Sequence, residues 1–204
     1  MTSAPNERVI LASASPRRRD ILNALGVPFE VCVSEADEAC DEADPGRRVE
    51  IIARRKCEAV RDSRPADERE LILASDTLVV VDDVFLGKPA DAADAAQMLG
   101  MLSGRVHRVV SGIAVWHKGR MVTAHDTTYV CFRPMSEADI QAYIATGEPF
   151  GKAGGYAIQG EAAAYVSEIR GEYHNVVGLP VRCLYETVLR EFGIELFACP
   201  QVCD

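Results

Sequence analysis

The feature that most constrains this chain is the alternation of short β-type apolar runs with helical patterns, broken once by two long β-type runs in direct succession. Arg8 to Ala12 reads as a buried strand. Ser13-Ala-Ser15-Pro16 then leads into a helix whose Ile21, Leu22 and Leu25 share a face before Gly26 stops it. Ser15 is the expected N-cap and Pro16 the first helical residue. Val27 to Val33 predicts a second strand, and Arg47 to Asp62 a helix with the apolar stripe Val49, Ile52, Ala53, Cys57 and Val60. Leu71 to Ala74 and Leu78 to Val81 follow as β-type runs interrupted by Ser75-Asp76-Thr77, with Gly87-Lys88-Pro89 closing the second. Asp91 caps a helix carrying Ala95, Met98, Leu99 and Leu102, which ends at Gly104. Arg108 to Trp116 and Met121 to Phe132 predict a hairpin over Lys118-Gly119, and Ser136 with Asp139 opens another helix. After the Gly-rich segment 151–160 come a strand (Ala164 to Ile169), a loop (Gly171 to Leu179) and a final helix from Pro180 to Phe192.

Strands alternating with helices imply covered parallel pairing, and a hairpin implies antiparallel pairing, so a mixed α/β sheet is expected. No repeat and no Gly/Ser- or Pro-rich linker divides the chain, so residues 1–204 read as one domain. The 204 residues suffice for a full core. The longest apolar runs fall far below the ~18 to 20 residues of a membrane span, and residues 1–8 lack a basic-then-apolar signal pattern. No membrane partner is expected. Seven cysteines, an odd number with no CxxC spacing, read as reduced thiols of a cytoplasmic protein. Cys199 and Cys203 form a tail pair, but two thiols make a poor zinc site.

Net charge is −9, so general attraction to nucleic acid is excluded, and any polyanionic ligand must be met by a local basic cluster. Positive charge is unevenly divided, with 18 Arg and four Lys. Arg17, Arg18 and Arg19 crowd the first turn of a helix, where cations are unfavourable and free N–H groups attract phosphates. They make better sense if an anion occupies that turn; the alternative, equally open from the motif alone, is a solvated surface run on an Arg-rich chain. Asp76, set between apolar runs, is costly if buried unpaired, and serves as a ligand or general base if a metal or cation offsets it. The alternative is a turn Asp capping local N–H groups. The acidic stretch at Asp37-Glu38 suits Mg²⁺ or Mn²⁺, or is a solvated loop.

Lys56 lies at the edge of its helix's inward stripe, Lys88 follows the Asp76 strands, and Lys152 opens the Gly-rich segment; only Lys118 looks like an ordinary turn residue. The four histidines are scattered outside any metal spacing, and neither a P-loop nor a GxSxG elbow occurs.

Leu11-Ala-Ser-Ala-Ser-Pro-Arg-Arg18, Ala74-Ser-Asp-Thr77, Gly87-Lys-Pro89, Lys152-Ala-Gly-Gly-Tyr-Ala-Ile-Gln-Gly160 and Tyr173-His-Asn-Val-Val-Gly-Leu-Pro180 together resemble the Maf family of nucleoside triphosphate pyrophosphatases. The resemblance implies a single α/β domain with an elongated mixed sheet flanked by helices and a central cleft between two lobes, similar to the inosine triphosphate pyrophosphatase fold. It implies hydrolysis of a nucleoside triphosphate to monophosphate and pyrophosphate with a divalent metal, and a homodimer. By the same resemblance Ser13, Arg17, Arg18, Lys56, Lys88, Thr77 and Gln159 contact substrate, Asp76 is the general base, and Glu38 stands with Asp76 on the metal side. Arg17, Thr77 and Gln159 match the dTTP/UTP branch; a branch resembling a 7-methyl-GTP pyrophosphatase carries Trp, Gln and Glu there. A Gln amide offers both donor and acceptor to a thymine or uracil edge. Gly155 and Ala157 stand where the family pattern has Ala and Gly. The competing readings are a different base preference and a nucleotide-binding regulator of septum formation.

Overall fold

A computed structural model describes residues 7–197, so the expectations for Cys199 and Cys203 lie outside the described residues. In chain order the elements are β1 (Arg8–Leu11), α1 (Pro16–Ala24), β2 (Phe29–Val31), α2 (Pro45–Asp62), β3 (Glu70–Val81), β4 (Val84–Leu86), α3 (Ala92–Leu102), β5 (Val106–His117), β6 (Arg120–Phe132), α4 (Glu137–Ala145), β7 (Val166–Arg170), α5 (Tyr173–Val177) and α6 (Val181–Phe192). The strands form one seven-stranded sheet in the order β2-β1-β3-β5-β6-β7, with β4 also beside β3. β1 pairs parallel with β2 and β3, and every other pairing is antiparallel. This is the mixed α/β sheet that the alternation predicts.

Local signals act as expected in several places. The Asp91 and Ser136 side chains accept from Asp94 N and Asp139 N and so cap α3 and α4, and Asp139 completes a capping box; a cap not anticipated from sequence is Asp44, which accepts from Arg47 N so that α2 starts at Pro45 rather than Arg47. Lys118 and Gly119 both take positive φ (45° and 80°), the turn whose twist matches a two-residue hairpin between β5 and β6.

Three expectations are corrected. The runs on either side of Ser75-Asp76-Thr77 are one strand, because all three polar residues stay in the ladder, opposite Ile113, Gly112 and Ser111 of β5. Ser15 occupies the N-cap of α1 but makes no side-chain cap; Ser13 Oγ instead accepts from Ser15 N at 3.2 Å. The segment 171–179 is not all loop, since α5 forms within it.

The sheet separates two apolar layers through its period-two alternation. Leu71 and Leu73 of β3 join Val9, Leu11, Leu99 and Leu184 in the larger core, while Ile72 and Ala74 meet Ala53 and Cys57 beneath α2. α2 lies so close to the sheet that a Cβ on Gly112 would come within 2.7 Å of the Val49 carbonyl carbon. Among the described residues no helix is long and apolar enough to cross a membrane.

Candidate active site

Strand β1 accompanies β3 only from Glu70 to Leu73, and β4 takes over the same edge only at Val79. Since β5 covers the other edge throughout, residues 74–78 of β3 face a gap where β1 turns away into α1. This is a crevice beyond the carboxyl end of a parallel strand, the general position for ligands in open α/β sheets. A cleft of about 500 Å³ occupies the gap, lined by residues of the β1–α1 turn, α2, β3, the turn after β4, segment 151–159 and residues 176–178. A more open depression of about 640 Å³ lies around Arg61, Arg64 and Trp116, and contains none of the motif residues.

Alternation along β3 distributes the polar triplet. Asp76 falls on the α2 side with Ile72 and Ala74, where Lys56 Nζ donates to its Oδ1 at 2.7 Å. The same ammonium reaches Glu38 Oε1 at 2.8 Å. Lys56 and Asp76 are both buried, whereas the Glu38 side chain is 53% exposed. Desolvation acts to raise the Glu38 pKa, but the Lys56 hydrogen bond and charge, with the charges of Lys88 and Arg18, outweigh it and hold the carboxyl below its usual range. One cation thus joins two carboxylates, and among the described residues only Oδ1 of Asp76 is hydrogen-bonded.

Ser75 and Thr77 fall on the other side of β3, where both hydroxyls reach the Gly178 carbonyl, at 3.1 and 3.4 Å. That carbonyl also accepts from Arg18 Nε at 2.7 Å, and Arg18 continues to Ser13 Oγ (3.1 Å) and Thr77 Oγ1 (3.2 Å). A guanidinium has five N–H donors, so three bonds fix its plane and leave two for a ligand. Desolvation lowers the Arg18 pKa, with the Asp76 charge opposing and the Arg17 charge reinforcing the shift. Arg17 is held by a single bond from Nε to the Val177 carbonyl at 3.3 Å. Arg19 is not part of the cleft; it turns back to the Ala14 carbonyl, which separates it from the expected anion cluster.

Lys88, Lys152 and Gln159 line the remaining rim, so three of the four lysines meet at one cleft. Segment 151–160 is anchored by Glu148, whose carboxylate accepts from Tyr143 Oη (2.7 Å), Glu161 N (3.0 Å) and Ala162 N (3.4 Å). Lys152 Nζ donates to the Glu148 carbonyl at 2.5 Å, and Gly154 N to the Gly87 carbonyl at 2.9 Å, tying the segment to the Lys88 turn. Among the lining residues six cationic side chains, Arg17, Arg18, Arg48, Lys56, Lys88 and Lys152, face the two carboxylates of Glu38 and Asp76. A chain of net charge −9 therefore concentrates a surplus of four positive charges in one crevice.

All nine residues singled out by the motifs line this cleft: Ser13, Arg17, Arg18, Glu38, Lys56, Asp76, Thr77, Lys88 and Gln159. Sequence reasoning missed the Gly178 carbonyl, Gly112, Glu148 and Arg48. A backbone acceptor and a glycine under a helix leave no compositional trace, but Arg48 stands eight residues before Lys56 and so shares its helical face.

A family profile described as Maf-like protein matches residues 8–192. A protein of Symbiobacterium thermophilum named dTTP/UTP pyrophosphatase is 48% identical over 194 residues, covering 94% of this chain and 97% of that one. A protein of the same name from Syntrophotalea carbinolica is 47% identical, covering 93% and 87% respectively, and one from Bacillus cytotoxicus is 44% identical, covering 86% and 91%.

Proposed function

This chain belongs to the Maf-like family, and on that premise we propose that it hydrolyses dTTP and UTP, and modified pyrimidine nucleotides of the same shape, to the monophosphate and pyrophosphate as a housecleaning enzyme. The observation that carries this reading is the cationic cleft built around the Asp76–Lys56–Glu38 cluster. A triphosphate brings about four negative charges, which the surplus of cations matches.

The residues fit a divalent ion. Glu38 and Asp76 are hard oxygen donors converging on one ammonium, and Mg²⁺ is commonly held by one or two carboxylates with substrate phosphates completing its shell. Among the described residues no cluster of three or more His, Cys, Asp or Glu side chains is placed to hold a metal, so the fit rests on these two carboxylates. When bound, Mg²⁺ or Mn²⁺ supplies charge neutralisation to the phosphate oxygens.

The chain's own groups then divide the work. Arg18, pre-set by Gly178, Ser13 and Thr77, and Arg17 offer their remaining N–H groups to the phosphates at the open start of α1, with Lys56 and Lys88 adding point charges. Asp76 Oδ2 accepts a proton from a water whose oxygen attacks the α-phosphorus; the bond to the β-phosphate oxygen breaks and pyrophosphate leaves. Donors fixed before reaction stabilise the charge moving onto that leaving group without reorganisation. Gln159 reads the imide edge of the base.

The direct test is product release from a panel of canonical and modified triphosphates with Mg²⁺ or Mn²⁺. Equal amounts of monophosphate and pyrophosphate are expected, with pyrimidine nucleotides preferred. Asp76→Asn should remain folded and lose at least a hundredfold in kcat, in line with about 10² to 10⁴ for a general base. A variant turning over at the wild-type rate excludes Asp76 as the base. Homodimerisation and a cytoplasmic location belong to the same proposal and are tested by sedimentation and cell fractionation.

A further inference from the structure

Arg48 has no place in the mechanism above, yet it lines the same cleft. Arg48, Ile52 and Lys56 follow one another at four-residue spacing on α2, which stacks them on one face. The Arg48 guanidinium lies over the Phe85 ring, 4.7 Å from its centroid, and Nη1 donates weakly to the Glu42 carbonyl at 3.4 Å. Its Nε is buried and has no partner among the described residues. Elsewhere on α2, Arg54 and Arg61 pair with Glu58 and Asp62, but among the described residues no carboxylate pairs with Arg48. A desolvated N–H left unpaired is unfavourable, and a guanidinium held over an aromatic ring with no carboxylate partner is placed to take an oxyanion.

Phe85 sits on β4, the strand that leads into the Lys88 turn, so its contact ties Arg48 to the element that carries Lys88, and both cations line the cleft. Asp76 and Lys56 mark the reacting centre, and Arg48 stands about 12 Å further along the axis of α2 than Lys56, at 1.5 Å per residue. We infer that Arg48 is an additional phosphate ligand that grips the pyrophosphate end of the substrate beside Lys88. This rests on the function proposed above and adds the residue that recognises a triphosphate as distinct from a monophosphate.

Pyrophosphate and dTMP, the two halves of the product pair, separate the possibilities when titrated calorimetrically into wild type, Arg48→Lys, Arg48→Met and Phe85→Leu, with thermal unfolding recorded alongside. Arg48→Met should bind pyrophosphate roughly tenfold or more weakly, as for loss of a charged hydrogen-bond donor, and raise KM for dTTP by a similar factor. Affinity for dTMP should change less than twofold. Arg48→Lys should recover part of the loss, because an ammonium restores charge without the planar fork, and Phe85→Leu should show a smaller loss of the same selectivity. Unchanged pyrophosphate affinity in a folded Arg48→Met overturns the inference, as does equal weakening of pyrophosphate and dTMP. Both binding measurements stand even where the wild type hydrolyses no nucleotide, so failure of the functional reading is separately visible.

Discussion

Replacing Lys56 by Met removes the one cation shared by Asp76 and Glu38 while keeping an aliphatic stem of similar length on α2. Taking away one partner of a buried pair typically costs about 3–5 kcal/mol, because an uncompensated charge stays behind. The Asp76 side chain, 11% exposed, carries most of that cost; Glu38, 53% exposed, recovers much of its share from water. The expected loss is therefore about 2–4 kcal/mol, or roughly 5–15 °C in melting temperature for a chain of this size. Urea unfolding at pH 7 of wild type, Lys56→Met, Asp76→Asn and the double variant measures it. If the cost is the orphaned carboxylate, adding Asp76→Asn to Lys56→Met should restore stability, so the cycle shows strong non-additivity. Acid should act in a defined direction. The folded Glu38 pKa lies below its ordinary 4.5, so its stabilisation is complete above that value and disappears as pH falls through the lower folded value. Only the Glu38 share of the difference between wild type and Lys56→Met should vanish there, the Glu38 share being the smaller one. A double variant no more stable than Lys56→Met would falsify the reasoning.

Burial lowers the His107 pKa from 6.5 to about 4, so the neutral ring is favoured in the fold. Stability from this group is full above pH 6.5 and declines towards pH 4, by about 3 kcal/mol at 1.36 kcal/mol per unit, and His107→Gln should flatten the melting profile across that window. Gly112→Ala should lose about 1–3 kcal/mol or more in urea unfolding, since its Cβ meets the Val49 backbone rather than a side chain that can move. It should also lower kcat by displacing Lys56 from Asp76, while Gly100→Ala on α3, with nothing within 4 Å of the added Cβ, should leave kcat unchanged. Gln159→Glu puts an acceptor-only group on the rim, so preference for dTTP and UTP over purine triphosphates should fall in a competition assay, and unchanged selectivity excludes Gln159 as the base reader.

Much of this molecule is readable from its residues. Helix caps at Asp91 and Ser136, the Lys118-Gly119 hairpin and the mixed sheet follow from local chemistry, which acts over a few residues and needs no knowledge of the rest of the chain. The motif residues carry their chemistry in their side chains, and the family resemblance implies that they meet at one cleft, which they do. What sequence misjudged was Ser75-Asp76-Thr77. Polar residues between apolar runs look like a break, and only tertiary structure shows them held in the ladder by β5 and satisfied by Gly178 and Lys56.

Sequence by itself therefore determined the inventory: which groups can bind phosphate, accept a proton or cap a helix. Tertiary structure decided the pairings. The early departure of β1 from β3 opens the edge that becomes the cleft, and alternation along β3 sends Asp76 to α2 and its two hydroxyl neighbours to Arg18 and Gly178. Gly112 lets α2 approach closely enough for Lys56 to bridge Asp76 and Glu38. These depend on contacts between residues tens of positions apart, whose closeness is a property of the packed chain rather than of any segment within it.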